Sequence, residues 1–172
     1  MDFLKLAKQR ASVRKFQETA VEEEKLQQIL EAGRVAPTAA NRQPQRILVL
    51  QSAAALEKAK LAANTFGAPL VLIICADRSV AWKRPFDGKD TVDIDASIVT
   101  DHMMLQATAL SLGSVWICYF KPDMLQREFA LPNNLVPVNI LAIGYNAGPE
   151  ADPNRHEQTR LPLTQTVAYE RF

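Results

Sequence analysis

Arg10, Ser12 and Arg14 recur at every second position of the run Arg10-Ala11-Ser12-Val13-Arg14-Lys15-Phe16. In an extended backbone that spacing turns all three side chains to one side. Two guanidinium forks and a hydroxyl converging on one spot form a receptor for a phosphate or another delocalised anion. The competing interpretation is a solvated basic turn. A second polar, rigid segment favours the receptor: Ala36-Pro37-Thr38-Ala39-Ala40-Asn41-Arg42-Gln43-Pro44-Gln45 runs directly into an apolar strand. Other chemistries find no support. There is no Ser-His-Asp order, no Cys/His metal spacing, no Walker-type loop and no paired-carboxylate signature. Six glycines leave a dinucleotide-binding fold without its Gly-rich turn. Cys75 and Cys118 lie in apolar runs and read as small buried hydrophobes. His102 reads as a satisfied core histidine, and His156 as a solvated one.

The elements that must position these residues are legible in outline. A chain of 172 residues is expected to form a single domain over 1–172 with a sizeable core. A net charge of +1, with both signs interspersed, argues against nucleic acid as a partner. No apolar run is long enough to cross a bilayer, the N-terminus has no signal-peptide pattern, and a cytoplasmic location is expected. Asp2–Gln9 reads as a first helix. Thr19–Glu22 resembles a capping box opening a second helix, which Pro37 stops. Arg46–Gln51 is a strand, Ser52 caps a helix over 53–63, and Pro69–Ala76 is a central strand buried on both faces. After the polar loop 77–90 comes a helix from about Val92 to Leu112, ended by Gly113 and apolar nearly all round. Ser114–Phe120 and Val136–Tyr145 are further strands, with a helix at 122–130 between them. The tail 146–172 keeps Leu161, Leu163, Val167, Tyr169 and Phe172, and is expected to dock on the fold or on a partner subunit. Four strands and five helices make the class α+β or a three-layer sandwich.

Several runs in order carry a resemblance. They are Arg10-x-Ser12-x-Arg14-Lys15-Phe16, Ala36-Pro37-Thr38-Ala39-Ala40-Asn41-Arg42-Gln43-Pro44, Asp101-His102-Met103-Met104-Leu105-Gln106-Ala107, Leu112-Gly113-Ser114-Val115-Trp116-Ile117 and Arg160-Leu161-Pro162-Leu163. The chain resembles the nitroreductase family of FMN-dependent oxidoreductases, in a short form, from Arg10 to Phe172. The resemblance implies an α+β three-layer sandwich, with a central mixed or antiparallel sheet flanked by helices. It also implies an intertwined homodimer with flavin mononucleotide (FMN) at the subunit interface.

By the same resemblance, Arg10 and Ser12, with Ala11 between them, meet the FMN phosphate and ribityl chain. Arg14 lies near the pyrimidine edge of the flavin, and Arg160 completes the phosphate site. Pro37, Thr38, Asn41 and Gln43 come from the opposite subunit. The segment Trp116-Ile117-Cys118-Tyr119 passes the ring, with the backbone N–H near Cys118 facing flavin N5. No side chain is assigned a catalytic role, because the chemistry takes place at flavin N5. Three positions depart from the pattern: Gln158 replaces a second phosphate-site cation, Gln45 stands where Trp is common, and Ser111-Leu112-Gly113 replaces Gly-Leu-Gly. The implied activity is ping-pong reduction of nitroaromatics, quinones or related small conjugated acceptors by NADH or NADPH. The loop 77–90, with Trp82 and Phe86, is a candidate lid. The alternatives are a specialised flavoenzyme on this scaffold (reductive dehalogenase, ene-reductase or flavin-fragmenting enzyme) and a flavin-binding protein without turnover.

Overall fold

Strands β1 (Gln45–Leu50), β2 (Leu70–Asp77), β3 (Gly113–Ile117) and β4 (Leu135–Gly144) form one antiparallel sheet in the order β1-β2-β4-β3. The structure, a computed structural model, describes residues 2–172. Every residue of β2 is buried, as its unbroken apolar run predicts. Side-chain alternation along β2 feeds two cores. Leu70, Leu72 and Ile74 meet Leu26 and Ile29 of α2 (Glu23–Val35) and Val99 and Met103 of α4 (Val92–Ala109). Val71, Ile73 and Cys75 share the opposite core with Ala59 of α3 (Ala53–Ala62) and Leu125 of α5 (Pro122–Glu128). The result is the expected three-layer α+β sandwich. Leu70 through Ile74 are wholly inaccessible, each worth about 1.5–3 kcal/mol of transfer free energy, so the centre of the sheet is firmly fixed.

Ser52 caps α3 through Ala55 N–H, and Pro122 occupies the first turn of α5, both as the sequence predicts. Three boundaries differ from expectation. Thr19–Glu22 form no capping box: α2 opens at Glu23, and Glu22 at its N-cap makes no side-chain cap bond. The Glu22 carboxylate instead accepts the Tyr145 hydroxyl at 2.7 Å, a distant partner that no local motif reveals, and this bond holds its pKa low. α4 ends at Ala109 rather than at Leu112, because Ser111 turns left-handed (φ 61°) and Leu112 N–H returns to Ala107 O. β3 stops at Ile117, paired with Ile140. Beyond that pair β4 bulges against β2 and carries Pro137, which has no N–H to extend a ladder.

The N-terminal helix α1 (Phe3–Gln9) leads into an extended segment laid along the sheet edge. Val13 N–H donates to Ser114 O, and Phe16 bridges Asn146. Gly113 permits this approach, since a Cβ there would stand 2.7 Å from Val13 Cγ2. After Tyr145 the chain crosses to α1 and forms the short turns α6 (His156–Thr159) and α7 (Leu163–Thr166). From Glu157 onward every residue is exposed, so within one chain the tail docks only through its first part. No helix among the described residues is long and apolar enough to cross a membrane.

Candidate functional site

Arg10 is the C-cap of α1, where the helix gives way to extended chain. Its neighbours come from the other end of the sequence. The Arg155 guanidinium donates to Arg10 O at 2.6 Å, Lys8 O at 3.1 Å and Asp152 O at 2.9 Å. These bonds satisfy carbonyls that the end of α1 leaves open. The His156 ring nitrogen Nε2 lies 3.2 Å from Lys8 O, so this histidine is half-buried and bonded, not solvated as expected. Burial, then the charges of Arg155 and Arg160, hold the Arg10 guanidinium below its ordinary pKa, against a smaller opposing pull from Asp101. Among the described residues none of these three arginines forms an ion pair. The three guanidiniums repel one another more than Asp101 offsets, and an anion would relieve that repulsion.

Beside them lies a cleft of ≈ 670 Å³ between the 9–15 segment, the end of α4 and the 146–153 stretch. Ala11, Ser12 and Arg14 all line it. Ser12 and Arg14 are exposed with half-buried Val13 between them, the alternation that their spacing predicts, but Arg10 is half-buried and does not line the cleft. The Arg14 guanidinium carbon stands 6.0 Å from the centroid of Phe66. Phe66 in turn lines a second hollow of ≈ 430 Å³, with Lys60, Asn64, Ile117 and Tyr119. Arg14 therefore joins this cleft to an aromatic hollow, and both volumes fall in the roughly 300–1,000 Å³ range of small-molecule sites.

Trp116, Ile117 and Cys118 separate. Ile117 belongs to the core shared with α3 and α5 and lines the second hollow. The Trp116 indole lies on the other face, against the α2/α4 core, and donates to Asn139 Oδ1 at 2.8 Å. Cys118 follows the end of β3 and is exposed, correcting the expectation of a buried hydrophobe. Cys75 is buried, and that burial pushes its thiol up to about 11. His102 bonds Ile98 O through Nδ1 at 3.0 Å, as a satisfied helix histidine should.

Pro37, Thr38, Asn41 and Gln43 stand elsewhere. Asn41 N–H and Gln43 N–H bond back to Thr38 at 3.0 Å, and Ala39 N–H reaches Asp95 in the first turn of α4. Ala40, Asn41 and Gln43 all adopt left-handed φ values near 50°. Such strain costs roughly 1–3 kcal/mol per residue and concentrates at functional sites. The arginine cleft meets the opposite end of α4, at Thr108 and Ser111. At 1.5 Å rise per residue, the two ends are separated by about 20 Å. One chain does not bring the two groups together.

Sequence reasoning missed Arg155, Asn64 and Phe66. Arg155 sits in a polar tail without local pattern. Asn64 and Phe66 belong to a turn before β2, where Asn64 Oδ1 caps Phe66 N–H at 2.9 Å and Phe66 takes φ 56°. The Asn-x-Phe-Gly turn composition was the available signal.

A family model described as the nitroreductase family matches residues 7–65 and 56–145. The crystal structure of a nitroreductase family protein from Clostridium difficile 630 is 53% identical across 100% of both chains, with a TM-score of 0.98. A structure from Clostridium difficile R20291, described as an FMN-dependent nitroreductase, is 26% identical over 99% of this chain and 100% of its own, with a TM-score of 0.82. An NADH dehydrogenase from Thermus thermophilus is 30% identical over 202 residues, covering 98% of this chain and 96% of its own.

Proposed function

The chain belongs to the nitroreductase family, and on that premise we propose that it binds one FMN per chain and passes electrons from NADH or NADPH to nitroaromatics, quinones or related conjugated acceptors by a ping-pong mechanism. The observation that carries the reading is the set of guanidiniums of Arg10, Arg155 and Arg160, none in an ion pair among the described residues, with Arg14 in the adjoining cleft 6.0 Å from Phe66 of an aromatic hollow. FMN, when bound, supplies the two-electron chemistry that no side chain here can supply.

The residues present fit that cofactor. Arg10 and Arg160 hold the phosphate and Arg155 braces Arg10, while Ser12 and Ala11 lie along the adjoining cleft. Arg14 supplies a cation at the ring edge, where it stabilises negative charge developing on the bound cofactor. Ile117 and Tyr119 border the hollow, and the ladder of β3 with β4 ends at the Ile117–Ile140 pair, so Cys118 N–H between them lies beyond it. Pro37, Thr38, Asn41 and Gln43 of a second copy complete the other wall, since their own chain holds them about 20 Å from its arginines. The loop 77–90 carries Phe86 fully outward at its tip, with Arg84 clasping Asp87, as a lid over an acceptor requires. One shared binding face for reductant and acceptor gives alternating occupancy.

Purified protein is expected to show a flavin absorbance spectrum, to release FMN on denaturation, and to bleach on anaerobic mixing with NADH or NADPH. Release of FAD alone, or no flavin uptake after FMN is added, contradicts the reading. Uptake of FMN without bleaching by either nicotinamide shows a flavin-binding protein without this turnover.

A further inference from the structure

Asp95 is wholly inaccessible, on the first turn of α4, and no cation pairs with it among the described residues. Its Oδ1 accepts Ala39 N–H at 2.8 Å, and its Oδ2 accepts the Thr91 hydroxyl at 2.8 Å. Thr91 N–H is bonded to Trp82 O at 3.0 Å, across the base of the loop that Lys83 and Asp90 close by a β-bridge. A buried carboxylate is costly unless each oxygen finds a donor, and here the helix N-terminus and these two donors compensate it. Oδ1 faces a backbone donor that cannot reverse and so requires an acceptor there, whereas the Thr91 hydroxyl, which also lies 3.2 Å from Trp82 O, can donate or accept.

What Asp95 holds is the strained part of the chain. Ala39 directly precedes Ala40 and Asn41, both left-handed at φ 48° and 52°, and Gln43 follows at 50°. Alanine visits that region only when its surroundings impose it. The bonds from Asn41 and Arg42 N–H and to Thr38 Oγ1 are internal to the turn, and Arg46 of β1 donates to Gln43 O at 3.2 Å. The Ala39–Asp95 bond fastens it to the helix layer.

We propose that Asp95 is the positioning residue of the flavin-covering turn: it fixes residues 38–43 in their left-handed form and, through Thr91, ties the base of the 78–91 loop to them. This rests on the reading that residues 37–43 face FMN in a second copy. Asp95 touches no cofactor and acts only through the turn.

The test is a mutant cycle read as FMN affinity of the full-length dimer, with melting temperature measured alongside. Asp95→Leu, which matches the size and removes both acceptors, is expected to weaken FMN binding by about 10-fold or more. Asp95→Asn keeps one acceptor for Ala39 N–H and is expected to lose less. Ala40→Gly removes the left-handed penalty within the turn itself, and its own effect on FMN affinity is measured in the wild-type chain and divided out. Beyond that effect, it should restore much of the affinity lost in the Asp95→Leu chain. Should Asp95→Leu fail to fold, Asp95→Ala, which also removes both acceptors, carries the same cycle with and without Ala40→Gly. Wild-type FMN affinity in the Asp95 variants, or an equal effect of Ala40→Gly in both backgrounds, overturns the proposal and makes Asp95 purely structural. Failure of the FMN reading shows separately, as absence of binding in the wild-type chain, and takes the proposal with it.

Discussion

At the scale of single residues, the account stands on charge without counter-charge. Arg10 and Arg160 are remote in sequence, yet the second guanidinium depresses the pKa of the first. If both serve one phosphate, Arg160→Ala removes a charge-assisted contact worth roughly 1.5–3 kcal/mol, and FMN affinity falls about 10- to 150-fold. The melting temperature of the apo-protein should hardly move, since an exposed arginine without a partner contributes little stability. Gln158→Lys should tighten binding, most at low ionic strength, where the added charge is least screened. Fluorescence titration of apo-protein with FMN measures both. Unchanged affinity in Arg160→Ala removes the tail from the phosphate site. The alternation of Ser12 and Arg14 was legible because a period of two needs only an extended backbone, whereas Arg10, as the C-cap of α1, is half-buried and off the cleft. Arg155 was not, because its role depends on where the chain returns after β4.

At the scale of elements, unbroken apolar composition located β2 and α4, because burial on all sides dominates it, while the Ser52 cap and Pro122 at a first helical position located α3 and α5. The ends were less legible, since long-range bonds set them: Glu22 leaves its cap for Tyr145, and Pro137 with the β4 bulge cuts β3 short. Ser111 is the most informative end. It stands where the family pattern has glycine, and it takes the left-handed φ of 61° that such a glycine would occupy. Ser111→Gly should therefore stabilise the fold by about 0.5–1 kcal/mol by removing the Cβ penalty at the helix terminus. Thermal unfolding should show a rise of about 1–4 °C in a chain of this size. A fall in Tm would mean that the Ser111 side chain makes a contribution larger than the strain it carries.

At the scale of the whole molecule, what a single chain leaves uncovered defines its partner. α4 buries Ala96, Val99, Met103 and Ala107 but leaves Ile94, Ile98 and Leu105 at least partly exposed, one stripe at helical spacing. Phe3, Leu4, Leu163, Tyr169 and Phe172 are exposed as well. A second copy covering these surfaces would also bring its 37–43 turn to the arginine cleft that one chain keeps at the far end of α4. Such an arrangement is implied only by the resemblance, because no local pattern reports which residues meet across two chains. The direct measurement is subunit complementation. One chain carries Arg10→Ala with Arg160→Ala, the other Asn41→Ala with Gln43→Ala, and FMN binding is titrated for each alone and for the purified mixed dimer. A shared site predicts weak binding by each homodimer and one FMN at near wild-type affinity per mixed dimer, because one of its two sites is assembled wholly from unaltered halves. A mixed dimer that binds FMN no better than its parents would place each site within a single chain and contradict the account.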